Sequence, residues 1–237
     1  MDVIGMAEKA ALVVFVLLFT VWEARRPARP RHKRLQPLDV AVVLNVALFS
    51  LAGKWLLTPA ATYASAPLGG LPLAARVLIA LIVIDFLLYW VHRAMHTPVL
   101  WNTHRFHHSV TNMDWLRGVY MSGAHIVLYL APQILLGYYL FGFTRIEMAA
   151  MVIIGYFVQL WQHANVTFEI GVLRHVLVTP QFHRLHHAYG DEARDRNFGA
   201  VLTVWDRLFG THATPGDENY RLGLADDVPV VRGMLGV

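Results

Sequence analysis

Five apolar stretches divide the chain, at about residues 10–22, 40–57, 71–91, 119–143 and 148–161. A helix needs about 20 apolar residues to cross the hydrocarbon core of a bilayer. The fourth stretch meets that length outright, and the third does so with Arg76 and Asp85 inside it. The first and fifth are short unless they draw in neighbours, such as residues 3–7 for the first. The pattern therefore predicts an all-α integral membrane protein with four to five transmembrane helices. After Trp161 no stretch is long enough to span, so the rest of the chain is expected to fold as a helical cap at one membrane face. The first stretch is not expected to be a cleaved leader. Asp2 and Glu8 stand beside Lys9, and no small-residue cleavage site precedes the basic run that follows it.

Composition agrees with the pattern. Of 237 residues, 56% are hydrophobic and only 15% charged, against roughly 25% charged in an average soluble protein. A disordered chain is excluded, and an ordinary soluble globule is disfavoured. There is no cysteine, hence no disulfide, thiolate-bound zinc, iron–sulfur cluster or cysteine nucleophile. The net charge of +4 matters less than its placement. Arg25, Arg26, Arg29, Arg31, Lys33 and Arg34 crowd the first short loop, which the positive-inside rule assigns to the cytoplasm. These cations have no fold around them to read a nucleic-acid groove, so no nucleic-acid partner is expected. The loop at 58–70 is uncharged and suits the opposite side. The third stretch then returns to the cytoplasm, and the last two form a hairpin through 142–147 that comes back to the same side.

That path carries histidines to one face. The chain has 13 of them, and nine fall into tight groups. His92 and His96 stand at i and i+4, on one face of a helix leaving the third stretch, with Asp85 and Tyr89 continuing that face. A carboxylate inside an apolar stretch is costly and implies a partner. Asp85 is therefore expected to accept the second N–H of a metal-bound histidine, fixing its tautomer. His104, His107 and His108 form an H-x-x-H-H pattern, and His183, His186 and His187 repeat it about eighty residues later. His163 and Asn165 add a fourth group, and His125 is a further candidate, as a ligand or as a lining of the substrate cavity. His32, His175 and His212 lie outside the repeated pattern.

Zinc in a protein takes three or four ligands. This many clustered imidazoles fits two metal ions, and neutral imidazole suits zinc, copper, iron and nickel rather than calcium or magnesium. The E-x-x-H pairs of soluble di-iron bundles are absent, and so is the zinc-protease H-E-x-x-H.

The residues resemble the membrane-bound fatty acid hydroxylase/sterol desaturase superfamily of histidine-rich di-iron oxidases. The likeness rests on DFLLYWVHRAMH from Asp85, HRFHHS from His104, QHAN from Gln162 and TPQFHRLHH from Thr179. NFGAVLTVWDRLFGT from Asn197 looks like the family's closing element. The region after the second histidine group, Tyr120-Met121-Ser122-Gly123-Ala124-His125, lacks the arginine–histidine–proline–glutamate element of many sterol-desaturase relatives. A sterol-specific activity is thus not implied.

The resemblance implies metal ligands at His92, His96, His104, His107, His108, His163, His183, His186 and His187, holding two iron ions with O2 as co-substrate. Asp85, Asn165 and Asp206 are the expected supporting residues, and Trp205-Asp206-Arg207 is expected to dock the tail over the metal site. Arg93, Arg105 and Arg184 are expected to be structural. The implied reaction removes hydrogen from an unactivated C–H bond of a lipid, giving an alcohol or, by loss of a second hydrogen, an alkene. Hydroxylation is the first expectation. The other readings are desaturation, a zinc-dependent membrane hydrolase and a catalytically silent scaffold. Electrons are expected from a separate ferredoxin- or cytochrome b5-like donor, because no flavin, haem or nicotinamide motif is present. The chain ends without an ER-retention signal, which favours a bacterial inner membrane. The expected organisation is 1–72 for N-terminal membrane helices and basic loop, 73–214 for the di-iron domain, and 215–237 for a tail.

Overall fold

The computed structural model describes residues 3–30, 35–62, 66–190, 195–214, 216 and 219–237. Arg31, His32, Lys33 and Arg34 of the basic loop lie outside the described residues. Helices α1 (Val3–Arg25), α2 (Pro37–Thr62) and α3 (Leu73–Met95) have 23, 26 and 23 residues. The short α4 (Trp101–His108) follows, then α5 (Gly123–Leu135), which widens into a π-turn at Leu136–Leu140. After α6 (Arg145–His163) come three short helices, α7 (Pro180–His186), α8 (Val204–Leu208) and α9 (Val230–Leu235). Among the described residues there is no strand, only isolated bridges such as Leu177 with Leu202.

Among the described residues, four helices are long and apolar enough to cross a membrane: α1, α2 over Pro37–Thr58, α3, and α5 with its π-turn over Gly123–Leu140. The first stretch reaches this length by drawing in residues back to Val3. The second outruns the expected loop start at residue 58 and continues to Thr62. The fourth begins later than the apolar pattern does. Arg117–Val119 form a 3-10 turn, and Ser122 caps α5 by accepting from the His125 backbone N–H at 3.0 Å. Capping also sets α6, where Thr144 and Glu147 form a reciprocal box, and α7, where Thr179 accepts from the Phe182 N–H ahead of Pro180.

The apolar faces pair α2 with α5 and α1 with α6. One core joins Ile84 and Leu88 of α3 to Ile134, Phe141 and Met148; another packs Phe19 of α1 on Leu160 and Ala164. Burial of such side chains contributes about 25 cal/mol per Å2 of apolar surface. Much of the apolar surface stays outside instead: Leu44, Leu48, Leu51 and Trp55 of α2 are exposed, as expected of a lipid-facing helix. The helical ends carrying His92 and His163, together with α4 and α7, converge on one end of this frame.

Candidate metal centre

The nine expected ligand histidines meet in two groups. His92, His96, His104, His108 and His186 form one, and His107, His163, His183 and His187 the other. In each group one ring nitrogen from every histidine lies within 4.8 Å of those of the others. All nine rings are buried except that of His96, which is half-buried. Burial, with neighbouring imidazoles adding to it, holds His104, His107, His108, His183, His186 and His187 far below the usual histidine range, so these rings are neutral.

Hydrogen bonds fix several tautomers. The Nδ1 atoms of His92, His107, His163 and His186 lie 2.9, 3.2, 2.8 and 2.7 Å from the carbonyl oxygens of Phe198, Tyr120, Gln159 and Arg196. A carbonyl only accepts, so each Nδ1 carries the proton and each Nε2 presents a lone pair. For His163 this bond is far shorter than the 3.4 Å approach of the Gln159 amide nitrogen to the same Nδ1. The consequence is decisive for His107 and His163, whose Nε2 atoms stand 3.0 Å apart. Two bare lone pairs facing each other at that distance repel, unless a cation lies between them. His187 points the same way: neither ring nitrogen has a hydrogen-bond partner, although both are buried. Unpaired buried polar atoms cost about 1–3 kcal/mol each, and a metal removes the cost. The donor set fits a pair of imidazole-binding metals.

The supporting residues act at one remove from the histidines. Asp85 touches none of them: its carboxylate accepts from the backbone N–H groups of Val201 and Leu202 at 2.8 and 3.1 Å, and from the Trp205 indole at 2.8 Å. The expected histidine partner is replaced by the C-terminal turn, since that turn brings three donors to the buried carboxylate. Asp206 holds the same turn from within, accepting from the N–H groups of Phe198 and Gly199 at 2.7 and 2.8 Å and from the Thr211 hydroxyl at 2.7 Å. Together they place the Phe198 carbonyl under His92. Trp205 and Asp206 hold this turn against Asp85 of α3. Asn165 instead pairs with the backbone of Arg29, at 3.0 and 2.9 Å, and its own N–H donates to Glu23. It ties the first loop to the end of α6 and contacts no histidine ring.

His125 lies outside both groups, its Nδ1 3.2 Å from Nδ1 of His104. Arg184, fully buried, donates to the carbonyls of Ala164 and Val166 and is structural as expected. Sequence reading missed the backbone carbonyls, which carry no residue signature, and Gly118. A Cβ at Gly118 would fall 2.4 Å from the His163 ring, so only glycine admits that ring. It also missed the buried cluster in which Asp39 accepts from Tyr120 and Arg117 at 2.6 and 3.2 Å. Asp39 sits in the first turn of α2, where an acid looks like ordinary helix-end chemistry.

Comparison with known proteins then decides the lineage. The sequence profile of the fatty acid hydroxylase family matches residues 77–211, more than half of the chain. The chain belongs to the fatty acid hydroxylase family. An ornithine lipid hydroxylase, OlsE, of Rhizobium tropici is 32% identical over 162 residues, covering 66% of this chain and 48% of that protein. Alkylglycerol monooxygenase of Danio rerio is 29% identical over 144 residues, 59% of this chain and 31% of its own length. A Delta(7)-sterol 5(6)-desaturase of Leptosphaeria maculans is 30% identical over 144 residues, 58% of this chain and 36% of that one. The chain thus spans between about a quarter and a half of the length of the curated relatives it matches. No solved structure matches it. The family match contains all nine histidines, His125, Asp85, Asn165 and Asp206, whereas α1, α2 and α9 lie outside it.

Proposed function

We propose that this fatty acid hydroxylase family member is an O2-dependent membrane oxidase that hydroxylates an unactivated C–H bond of a lipid. Its nine histidines would hold two iron ions, five rings at one and four at the other. The observation that carries this reading is the pair of facing lone pairs on His107 and His163 inside a cluster of neutral imidazoles. Iron held there would supply the activation of O2 that breaks a strong C–H bond.

The chain's own residues do the rest. Backbone carbonyls at Tyr120, Gln159, Arg196 and Phe198 fix the ring tautomers, so no proton need move before a metal binds. Asp85 and Asp206 hold the turn that carries one of them. Burial of the rings excludes water from the reacting region. The apolar spans α3 and α5 end at the histidines, so a lipid chain reaches them without leaving the bilayer. The substrate class is a lipid, as in the names of the hydroxylase relatives. Residues 73–214 form the catalytic unit, 1–72 its membrane support and 215–237 the tail. The metal end faces the cytoplasm of a bacterial inner membrane, and a separate ferredoxin- or cytochrome b5-like protein supplies two reducing equivalents.

Desaturation at the same site is the second reading, favoured by the sterol desaturase relatives. Lipid mass spectrometry of cells with and without the gene separates the outcomes. Hydroxylation gives a lipid heavier by one oxygen atom, and desaturation one lighter by two hydrogens. An unchanged lipid profile overturns both. Metal analysis of the natively purified protein, with O2 consumption, removes the zinc hydrolase: zinc without O2 uptake would establish it instead.

A further inference from the structure

Six of the nine histidines have a hydrogen-bond partner at Nδ1, and in five of them that partner is an oxygen. His92, His107, His163 and His186 each turn Nδ1 to a backbone carbonyl, and His96 turns its Nδ1 to the Asp195 carboxylate at 3.1 Å. His104 turns its Nδ1 to another imidazole, that of His125, at 3.2 Å, with the two rings 4.7 Å apart. His125 belongs to no repeated pattern and to neither group. It is buried on the first turn of α5, where its backbone N–H donates to Ser122, and the Tyr129 ring stands 4.8 Å from its own.

We propose that His125 is a positioning residue for the five-histidine group, acting through His104. His92 donates its Nδ1–H to the Phe198 carbonyl, so its Nε2 bears a lone pair. His104 Nε2 lies 3.0 Å from that atom. For both nitrogens to serve one metal, the His104 proton must reside on Nδ1, and the acceptor placed there is His125 Nδ1. His125 consequently carries its own proton on Nε2. Its task is to hold one tautomer and one ring angle, as a carbonyl does for His92, His107, His163 and His186. A carbonyl cannot be removed by substitution, whereas this acceptor can. The proposal rests on the dimetal reading and singles out one half of it.

The test uses the full chain in detergent with cobalt(II) as the probe, reading bound metal per chain and the visible absorption of the bound ion. The wild type is expected to bind two cobalt ions. His125→Ala is expected to weaken one of them about 10–100-fold, the range for losing an outer partner of a metal-bound histidine, and to leave the other unchanged. His125→Asn places an amide atom close to the position of Nδ1 and is expected to restore both. His125→Gln places its amide nearer the position of Nε2 and is expected not to. That Asn–Gln contrast still reads the positioning role if His125→Ala fails to fold. Two unweakened ions in His125→Ala, or equal rescue by Asn and Gln, overturns the proposal and leaves the dimetal reading standing. A wild type that binds no cobalt overturns both.

Discussion

The two H-x-x-H-H patterns are identical in spacing and opposite in how they are used. On α4, His104 and His108 serve the five-histidine group while His107 serves the other. At α7 the assignment is exchanged: His183 and His187 serve the four-histidine group and His186 the five. Positions i and i+4 lie along one edge of a helical face, and i+3 lies along the other. A short helix set between the two groups therefore feeds both. The repeated motif is a straddle, and neither box makes up a group by itself.

The two groups also differ in their support. In the four-histidine group every ring is buried, and His107 and His163 are held by backbone. In the five-histidine group, side chains take part: His96 leans on Asp195, itself 57% exposed, and His104 leans on His125. Each group has two rings whose Nδ1 is held by a backbone carbonyl, so the difference lies in the side-chain partners of the five-histidine group and in its one half-buried ring, His96.

The sharpest way to break this contrast is His107→Ala. It removes one of the facing lone pairs, and it is expected to empty the four-histidine group and abolish lipid oxidation, with metal content and lipid product as the measurements. Next in size is acid. The buried rings of both groups stay neutral in the folded chain, while in the unfolded chain they protonate near 6.5. The unfolded state thus binds more protons as pH falls. Stability of the metal-free protein is expected to be complete above about pH 6.5 and to fall progressively below it. Thermal unfolding at pH 7.5 and 5.5 checks this, and bound metal should flatten the difference.

Asp206→Asn sharpens the comparison from the other side. It turns an amide N–H toward the backbone N–H groups of Phe198 and Gly199, which can only donate, and so loosens the Phe198 carbonyl under His92. Metal affinity of the five-histidine group is expected to fall about 10–100-fold, read by metal titration, with the four-histidine group spared. Gly118→Ala should do the reverse. Its methyl group meets the His163 ring, an overpacking worth about 1–3 kcal/mol, and the loss should appear in thermal stability and in the four-histidine group. The smallest effect is expected from His175→Ala. Its exposed ring belongs to neither group, so metal content and unfolding temperature should stay within error of the wild type.

Much of this molecule was legible in its residues. Apolar runs near bilayer length gave the spanning helices, because lipid imposes its thickness on any chain that crosses it. They misjudged the fourth, where residues 119–122 are apolar enough to look helical but turn before Ser122 caps the span. Histidine spacing named the nine rings that come together. It could not name Gly118 or the Tyr120 carbonyl, since a backbone atom and a missing side chain leave no trace in residue type. Asp85 shows the boundary between the two kinds of knowledge. Its cost inside an apolar helix announced a partner, yet the partner proved to be a turn more than a hundred residues away.

What the sequence determined by itself was therefore the chemistry: neutral nitrogen donors in number enough for two metals, carried to one end of an apolar frame. The tertiary structure alone decided the division into five and four, and which proton sits on which nitrogen. Those depend on where carbonyls from distant segments arrive. Tautomers follow from hydrogen-bond partners, and partners follow from packing.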